Sequence, residues 1–281
     1  MSLSRLFMLL SFSAVLAAPL PSFAQMAPRE YRVLLAGNSL IYTNNLPALL
    51  RAVGASQGVR LTTETYAAPS GTLSQRWHDG HVSDALEARK FDAVVLQEMG
   101  ALPGCLASAS QQRKAPCAAS LQAHKALARQ VAEKGAKLLL FTTWAKDARG
   151  QARIDRGMRI LAAETKGSVF NAAGAIASLQ QTQPDTRVFP DGTHPSTQAS
   201  LMLALALYRD ITGTTPAASD LRVTAPLLPV AAAVAGDSAL ETQRGLVGDG
   251  KITVVPTSLM EPLIRALPTR SGEVRPSRRG R

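Results

Sequence analysis

Three side chains of the 281-residue chain could do chemistry together: the hydroxyl of Ser39, the imidazole of His194 and the carboxylate of Asp191. Ser39 closes the stretch VLLAGNS (33–39), in which an apolar run meets Gly37-Asn38-Ser39 and cannot comfortably continue as a strand. Open α/β sheets keep their chemistry at the carboxyl ends of buried strands, so a small nucleophilic side chain there is suggestive. Alone, Ser39 would read as a helix cap. Asp191 and His194 supply the missing partners. They lie in FPDGTHPS (189–196), where Pro195 suits the first turn of a helix and limits the freedom of the ring before it. A turn brings Asp191, three residues earlier, back onto that ring. An alcohol next to an imidazole that a carboxylate orients is an activated nucleophile. Gly71 and Gln97 fall at other predicted strand ends or in the loops that follow them.

The elements needed to position these groups are legible as an alternation. Short apolar strands are predicted over Arg32–Ala36, Val59–Tyr66, Phe91–Leu96, Lys137–Thr142 and Ser168–Asn171. Between them, Leu46, Leu49, Leu50 and Val53 recur at helical spacing, Leu73–Ala88 is helical in composition, and Leu121, Leu127 and Val131 mark a helix closed by Gly135. Ile154, Met158 and Leu161 mark another. Ser200–Ile211 is apolar on most faces, which predicts a buried helix. Near-continuous apolar strands separated by helices imply a parallel sheet covered on both sides. The domain is expected to end near Thr212-Gly213. Residues 214–261 read as an extension, with one helix over Ala231–Gln243 packed on the domain. From Pro262 onward Pro, Arg, Gly and Ser predict a disordered tail.

GNSL at 37–40 resembles the first block of the SGNH (GDSL-like) hydrolase superfamily, and DGTHPS at 191–196 resembles its last. Gly71, in PSGTLSQRW, falls where that superfamily has its second-block glycine. The nearer likeness is to a bacterial branch with a GNS start, a VVLQE block (here 94–98) and a DG-x-HPS end. The resemblance covers roughly Tyr31 to Thr212. It implies a flavodoxin-like three-layer αβα sandwich with a five-stranded parallel sheet and an active site at the sheet's carboxyl edge. It also implies roles. Ser39 would attack an acyl carbon, His194 would relay the proton, and Asp191 would orient and stabilise the imidazolium. An oxyanion hole would comprise the backbone N–H groups of Ser39 and Gly71 and the side-chain amide of Gln97. The last stands where the superfamily offers an asparagine one methylene shorter.

The N-terminus reads as a leader. Arg5 precedes the apolar Leu6–Ala18, Pro19 and Pro21 break it, and Ser22-Phe23-Ala24 offers small residues at a cleavage site, so residues 1–24 are expected to be removed on export to the periplasm or beyond. The apolar run of roughly 13 residues is short of the ~20 a membrane span needs. Cys105 and Cys117 are then expected to form one disulfide, with two free thiols as the alternative. No metal or cofactor is called for. The formal charge is +11, and residues 251–281 alone carry seven basic side chains against two acidic. With 5% aromatics and no recognised motif, nucleic acid is a poor partner, whereas the basic tail suits anionic envelope polymers. The functional expectation is an exported carboxylic-ester hydrolase acting on a small molecule or on O-acyl groups of carbohydrate. The competing expectation, from the altered third block, is a catalytically silent envelope-binding protein of the same fold. Glu98 is expected to support the site from behind, His78, His81 and His124 to be surface or partly buried, and Tyr42 and Asn45 to border the cleft.

Overall fold

The computed structural model describes residues 29–248 and 250–268. The leader and the last thirteen residues therefore lie outside the described residues. In chain order the elements are β1 (Glu30–Asn38), α1 (Ser39–Tyr42), α2 (Leu46–Ser56), β2 (Arg60–Ala68), α3 (Leu73–His78), α4 (His81–Ala88), β3 (Ala93–Gln97), α5 (Ala109–Gln112), α6 (Ala115–Glu133), β4 (Lys137–Phe141), α7 (Ala148–Thr165), β5 (Ser168–Phe170), α8 (Ala172–Thr182), α9 (Thr197–Thr212), β6 (Leu221–Val223), β7 (Thr253–Val255) and α10 (Thr257–Arg265).

β1 to β5 form one parallel sheet in the order β2-β1-β3-β4-β5. Successive strand residues face opposite sides, so each strand feeds two cores. Val33, Leu35, Ala93, Val95, Leu139 and Phe141 pack towards α2, α8 and α9. Leu34, Ala36, Val94, Leu96, Leu138 and Leu140 pack towards α3, α4, α6 and α7. Both sets are buried, which is why the strands read as unbroken apolar runs rather than alternating ones. The chain leaves β1 towards β2 on one side and returns to β3 on the other, so a crevice opens outside the carboxyl ends of β1 and β3. Ser39 follows β1 and Glu98 follows β3.

The expected helical stretch Leu73–Ala88 is two helices. Gly80, at φ +81°, breaks it between α3 and α4 in a conformation that a side chain would strain. α8 was not anticipated from the spacing. The disulfide between Cys105 and Cys117 ties the loop after β3 to the first turn of α6.

The C-terminal segment departs most from expectation. Ala231–Gln243 holds no α-helix, only a single turn at Leu240–Thr242. Tertiary contacts override its helical composition. Val234 and Leu240 are buried against Tyr42 and Ala67, Gln243 bonds to Ala235 and Ser238, and Arg76 donates to the Gly236 carbonyl at 2.7 Å. A Cβ at Gly236 would stand 2.2 Å from that guanidinium. The helix lies later, at α10, and continues through Pro262 to Arg265, so these residues are not part of a disordered tail. Met260 and Leu263 of α10, with Leu221 and Val255 of the β6–β7 antiparallel pair, join the same core as α2 and α9. Glu241 lies along β2 on the side away from β1, accepting from Thr65 N at 2.8 Å and from the Thr63 and Thr65 hydroxyls at 2.7 and 2.8 Å. Residues 214–268 are thus packed into the domain rather than appended to it. No helix among the described residues is long and apolar enough to cross a membrane.

Candidate active site

The turn after β1 is specified residue by residue. Gly37 leaves no room for a side chain unless its neighbours shift, because a Cβ there would lie 2.4 Å from Gln97 Oε1. Asn38, buried, caps α1. Its Oδ1 accepts from Leu40 N at 3.1 Å, its Nδ2 donates to the Gly71 carbonyl at 2.9 Å, and its own N–H donates to Gln97 Oε1 at 2.9 Å. The cap is therefore Asn38, which leaves the Ser39 hydroxyl free to face outward. His194 Nε2 lies 2.9 Å from Ser39 Oγ, although 155 residues separate them. On the other side of the ring, Nδ1 lies 2.7 Å from Asp191 Oδ2. Asp191 Oδ1 accepts from the backbone N–H of Thr193 and His194 at 2.9 and 2.7 Å, closing the turn through Gly192 at φ +83°. Those backbone donors, together with the imidazole, lower the Asp191 pKa to about 2.

The loop that carries His194 is fastened on both flanks. Ser196 caps α9 through Ala199 N at 3.2 Å. Trp144 Nε1 donates to the Thr193 carbonyl at 2.8 Å. Asn44, just after α1, donates to the Pro195 carbonyl at 2.7 Å and to Ser200 Oγ at 3.1 Å, and accepts from Thr197 Oγ1 at 3.1 Å. It does so from a left-handed backbone conformation at φ +56°, which Asn tolerates better than most residues. Asn44 therefore couples the Ser39 turn to the histidine loop, and Trp144 couples the loop after β4 to it.

No protein-family model matches the chain, and no curated protein does. Solved structures do. LAE5, an alpha/beta hydrolase enzyme from the metagenome of Lake Arreo in Spain, aligns over 68% of this chain and 98% of its own with a TM-score of 0.51 and 18% identity. An arginine-to-alanine variant of Axe2, an acetyl-xylooligosaccharide esterase from Geobacillus, aligns over the same shares with a TM-score of 0.50 and 15% identity. This chain has the SGNH hydrolase fold.

Within that SGNH fold, two of the donors expected for an oxyanion hole are committed elsewhere. Gln97 is fully buried, its Oε1 accepting from Asn38 N and its Nε2 donating to the Glu98 carbonyl. It braces the nucleophile turn from beneath instead of facing a ligand. The Gly71 N–H donates to the Ala68 carbonyl at 3.1 Å, closing a turn with Pro69 second and Ser70 third at φ +54°. The contribution of Gly71 is instead its carbonyl, which receives Asn38 Nδ2. Ser39 remains at the head of α1, where a backbone N–H has no helical partner of its own.

Glu98 is buried and accepts from Leu73 N at 3.1 Å, Met99 N at 2.7 Å and Ser120 Oγ at 2.6 Å. It thereby ties the loop after β2 to the loop after β3. His124 is also fully buried, against the expectation of a partly exposed ring. It pairs with the Ser120 carbonyl at 2.8 Å, and desolvation lowers its pKa, so it stays neutral. Asn45 is structural, capping α2 and donating to Pro226 O at 3.0 Å. Tyr42 does border the cleft, from beneath, with its hydroxyl 3.1 Å from the Val230 carbonyl. The cleft over Ser39 and His194 holds about 270 Å³ and is walled by Pro69, Met99 and Val230. Among the described residues no group of three or more His, Cys, Asp or Glu side chains could hold a metal ion.

Proposed function

We propose that this chain is a serine hydrolase of carboxylic esters, with Ser39 as nucleophile, His194 as general base and then acid, and Asp191 as the carboxylate that orients the ring. The observation that carries the reading is the 2.9 Å and 2.7 Å relay from Ser39 Oγ through His194 to Asp191. Asp191 accepts from Nδ1–H, which fixes the tautomer whose bare Nε2 can take the Ser39 proton. Attack on the ester carbonyl gives a tetrahedral oxyanion, for which the Ser39 N–H at the head of α1 would serve as backbone donor. The protonated imidazole then hands its proton to the departing alcohol. Water enters, gives a proton to Nε2 and attacks the acyl-Ser39, releasing the acid and restoring the hydroxyl.

The small cleft favours a short acyl group. The leader pattern of residues 1–24 and the disulfide support export to the periplasm or beyond, where O-acylated carbohydrate would be available. The acetyl-xylooligosaccharide specificity in the name of Axe2 points the same way. The diversion of Gln97 and the Gly71 N–H supports a second reading, a silent binding protein of this fold.

A fluorophosphonate probe and 4-nitrophenyl acetate separate the two. The hydrolase reading expects labelling that Ser39→Ala abolishes, with aryl-ester turnover falling by about 10³-fold or more. Turnover unchanged in Ser39→Ala, or an unlabelled wild type, rejects it. N-terminal sequencing of the mature protein tests export, with Gln25 expected first.

A further inference from the structure

The cleft over Ser39 has neighbours. It shares Leu40, Gly100 and Thr193 as walls with a larger cavity of about 940 Å³, which shares Ala101, Gly150 and Arg153 with a third of about 680 Å³. The three adjacent hollows form a row, here called the groove, that leads from Ser39 along the first two turns of α7. Its lining has an unusual charge. Lys146, Arg153 and Arg187 line the middle cavity, and Arg149, Arg153 and Arg156 the far one.

The carboxylate of Asp147 meets the positive end of α7, but the first turn beyond it holds no acidic residue and carries Arg149. Arg149, Arg153 and Arg156 are spaced four and three apart, on one face, where like charges repel. Lys146, Arg149, Arg153 and Arg156 have no ion pair or side-chain hydrogen bond among the described residues. Three carboxylates lie nearby, and each is engaged. Asp147 caps α7 through Gly150 N at 2.7 Å, Asp155 accepts from Gln151 at 2.8 Å, and Asp191 holds His194. Arg187 is committed in part to the Pro190 carbonyl at 2.6 Å. An arrangement that costs local stability and is not compensated among the described residues is what a ligand-binding surface looks like.

The groove also has an aromatic wall. Trp144 and Phe189 stack at 5.2 Å and 29° and both line the middle cavity. Half-buried aromatic surface beside cations matches a sugar ring that bears anionic groups, the guanidinium fork meeting a carboxylate in two parallel hydrogen bonds. Resting on the hydrolase reading, we propose that the substrate is an O-acylated acidic saccharide: the ester lies over Ser39, and neighbouring carboxylate-bearing sugars occupy the groove along Lys146, Arg153 and Arg149.

The test compares O-acetylated oligogalacturonides, neutral acetylated xylooligosaccharides and 4-nitrophenyl acetate. The acidic substrate should have a kcat/KM about tenfold or more above the neutral one, and the advantage should shrink as salt rises from ~20 to ~500 mM. Lys146→Ala combined with Arg153→Ala should abolish the advantage and leave aryl acetate turnover within about twofold, as neither residue touches the reacting atoms. Equal rates on both saccharides, an advantage indifferent to salt, or a parallel loss on aryl acetate overturns the proposal while leaving the nucleophile intact. If instead the wild type fails to turn over aryl acetate and is not labelled by a fluorophosphonate, the hydrolase reading fails. The groove is then judged by calorimetry of Ser39→Ala with unacetylated oligogalacturonate: binding that the double variant loses supports it, and no binding overturns it.

Discussion

Replacing Asn44 tests whether a residue outside the reacting trio sets the activity. Its three side-chain hydrogen bonds, to Pro195, Ser200 and Thr197, are part-buried or exposed. At about 0.7 kcal/mol each, in the lower part of the ~0.5–1.5 range, their loss costs about 2 kcal/mol. Its backbone sits at φ +56° and ψ +13°, where an alanine Cβ costs roughly 1–2 kcal/mol relative to Gly, and Asn, which tolerates this region, about half of that. Gly gives back about 0.5–1 kcal/mol through the greater freedom of its unfolded chain. Asn44→Gly should therefore lower stability by about 2 kcal/mol and Asn44→Ala by about 2.5–3, the reverse of the usual order of these residues. At ~2–4 °C per kcal/mol for a domain of this size, thermal unfolding followed by circular dichroism should show losses of roughly 4–8 °C and 5–12 °C. Activity should not follow that order. Both variants lose the connection between the Ser39 turn and the His194 loop, so kcat on 4-nitrophenyl acetate should fall in both by about 10- to 100-fold, the cost of a small misplacement of the base. Wild-type kcat in Asn44→Gly, or Asn44→Ala as stable as wild type, would refute the reasoning.

Three further perturbations follow from the site. Glu98→Ala leaves the Leu73 and Met99 N–H groups and the Ser120 hydroxyl without a buried acceptor and should cost about 3–5 kcal/mol by urea unfolding, while Glu98→Gln, which keeps one acceptor oxygen, should cost less than half of that. Gly37→Ala drives a methyl to 2.4 Å from Gln97 Oε1, so it should displace Gln97 from Asn38 N and lower kcat by about tenfold or more with little change in KM; wild-type kcat would show that the turn can relax. Because the Asp191 pKa is depressed to about 2, below the ordinary ~3.9 of an aspartate, its contribution is complete above the ordinary value and is lost only as the pH falls through about 2. Asp191 should therefore leave no inflection in kcat/KM between about pH 3 and 5, and an inflection there that Asp191→Asn removes would contradict the assignment.

The fold was readable because strands buried on both faces must be apolar throughout: Val33–Ala36, Val94–Leu96 and Leu138–Phe141 announce themselves without any knowledge of their neighbours. The Asp191–His194 turn was readable because it is local. What escaped depends on contacts between distant segments. Gln97 has the right amide at the right strand end, but the direction of its side chain is decided by the absence of a Cβ at Gly37 and by the Asn38 N–H. Ala231–Gln243 has helical composition, yet Arg76, Tyr42 and β2 each claim part of it. The role of Asn44 could have been suspected only from its place in TNN beside the nucleophile turn, since its partners lie more than 150 residues away. His124 looked like any helical histidine; only the meeting of α6 with the loop after β3 buries it.

Glu241 occupies the open flank of β2, satisfying an amide that would otherwise invite another strand. Cutting the chain at Gly213, where sequence composition suggests a natural end, would therefore not yield a smaller folded domain. It would strip the cover from α2 and α9, remove the Val230 wall of the cleft, and offer β2 as a template for chain-to-chain pairing, so the truncated product should be recovered as aggregate.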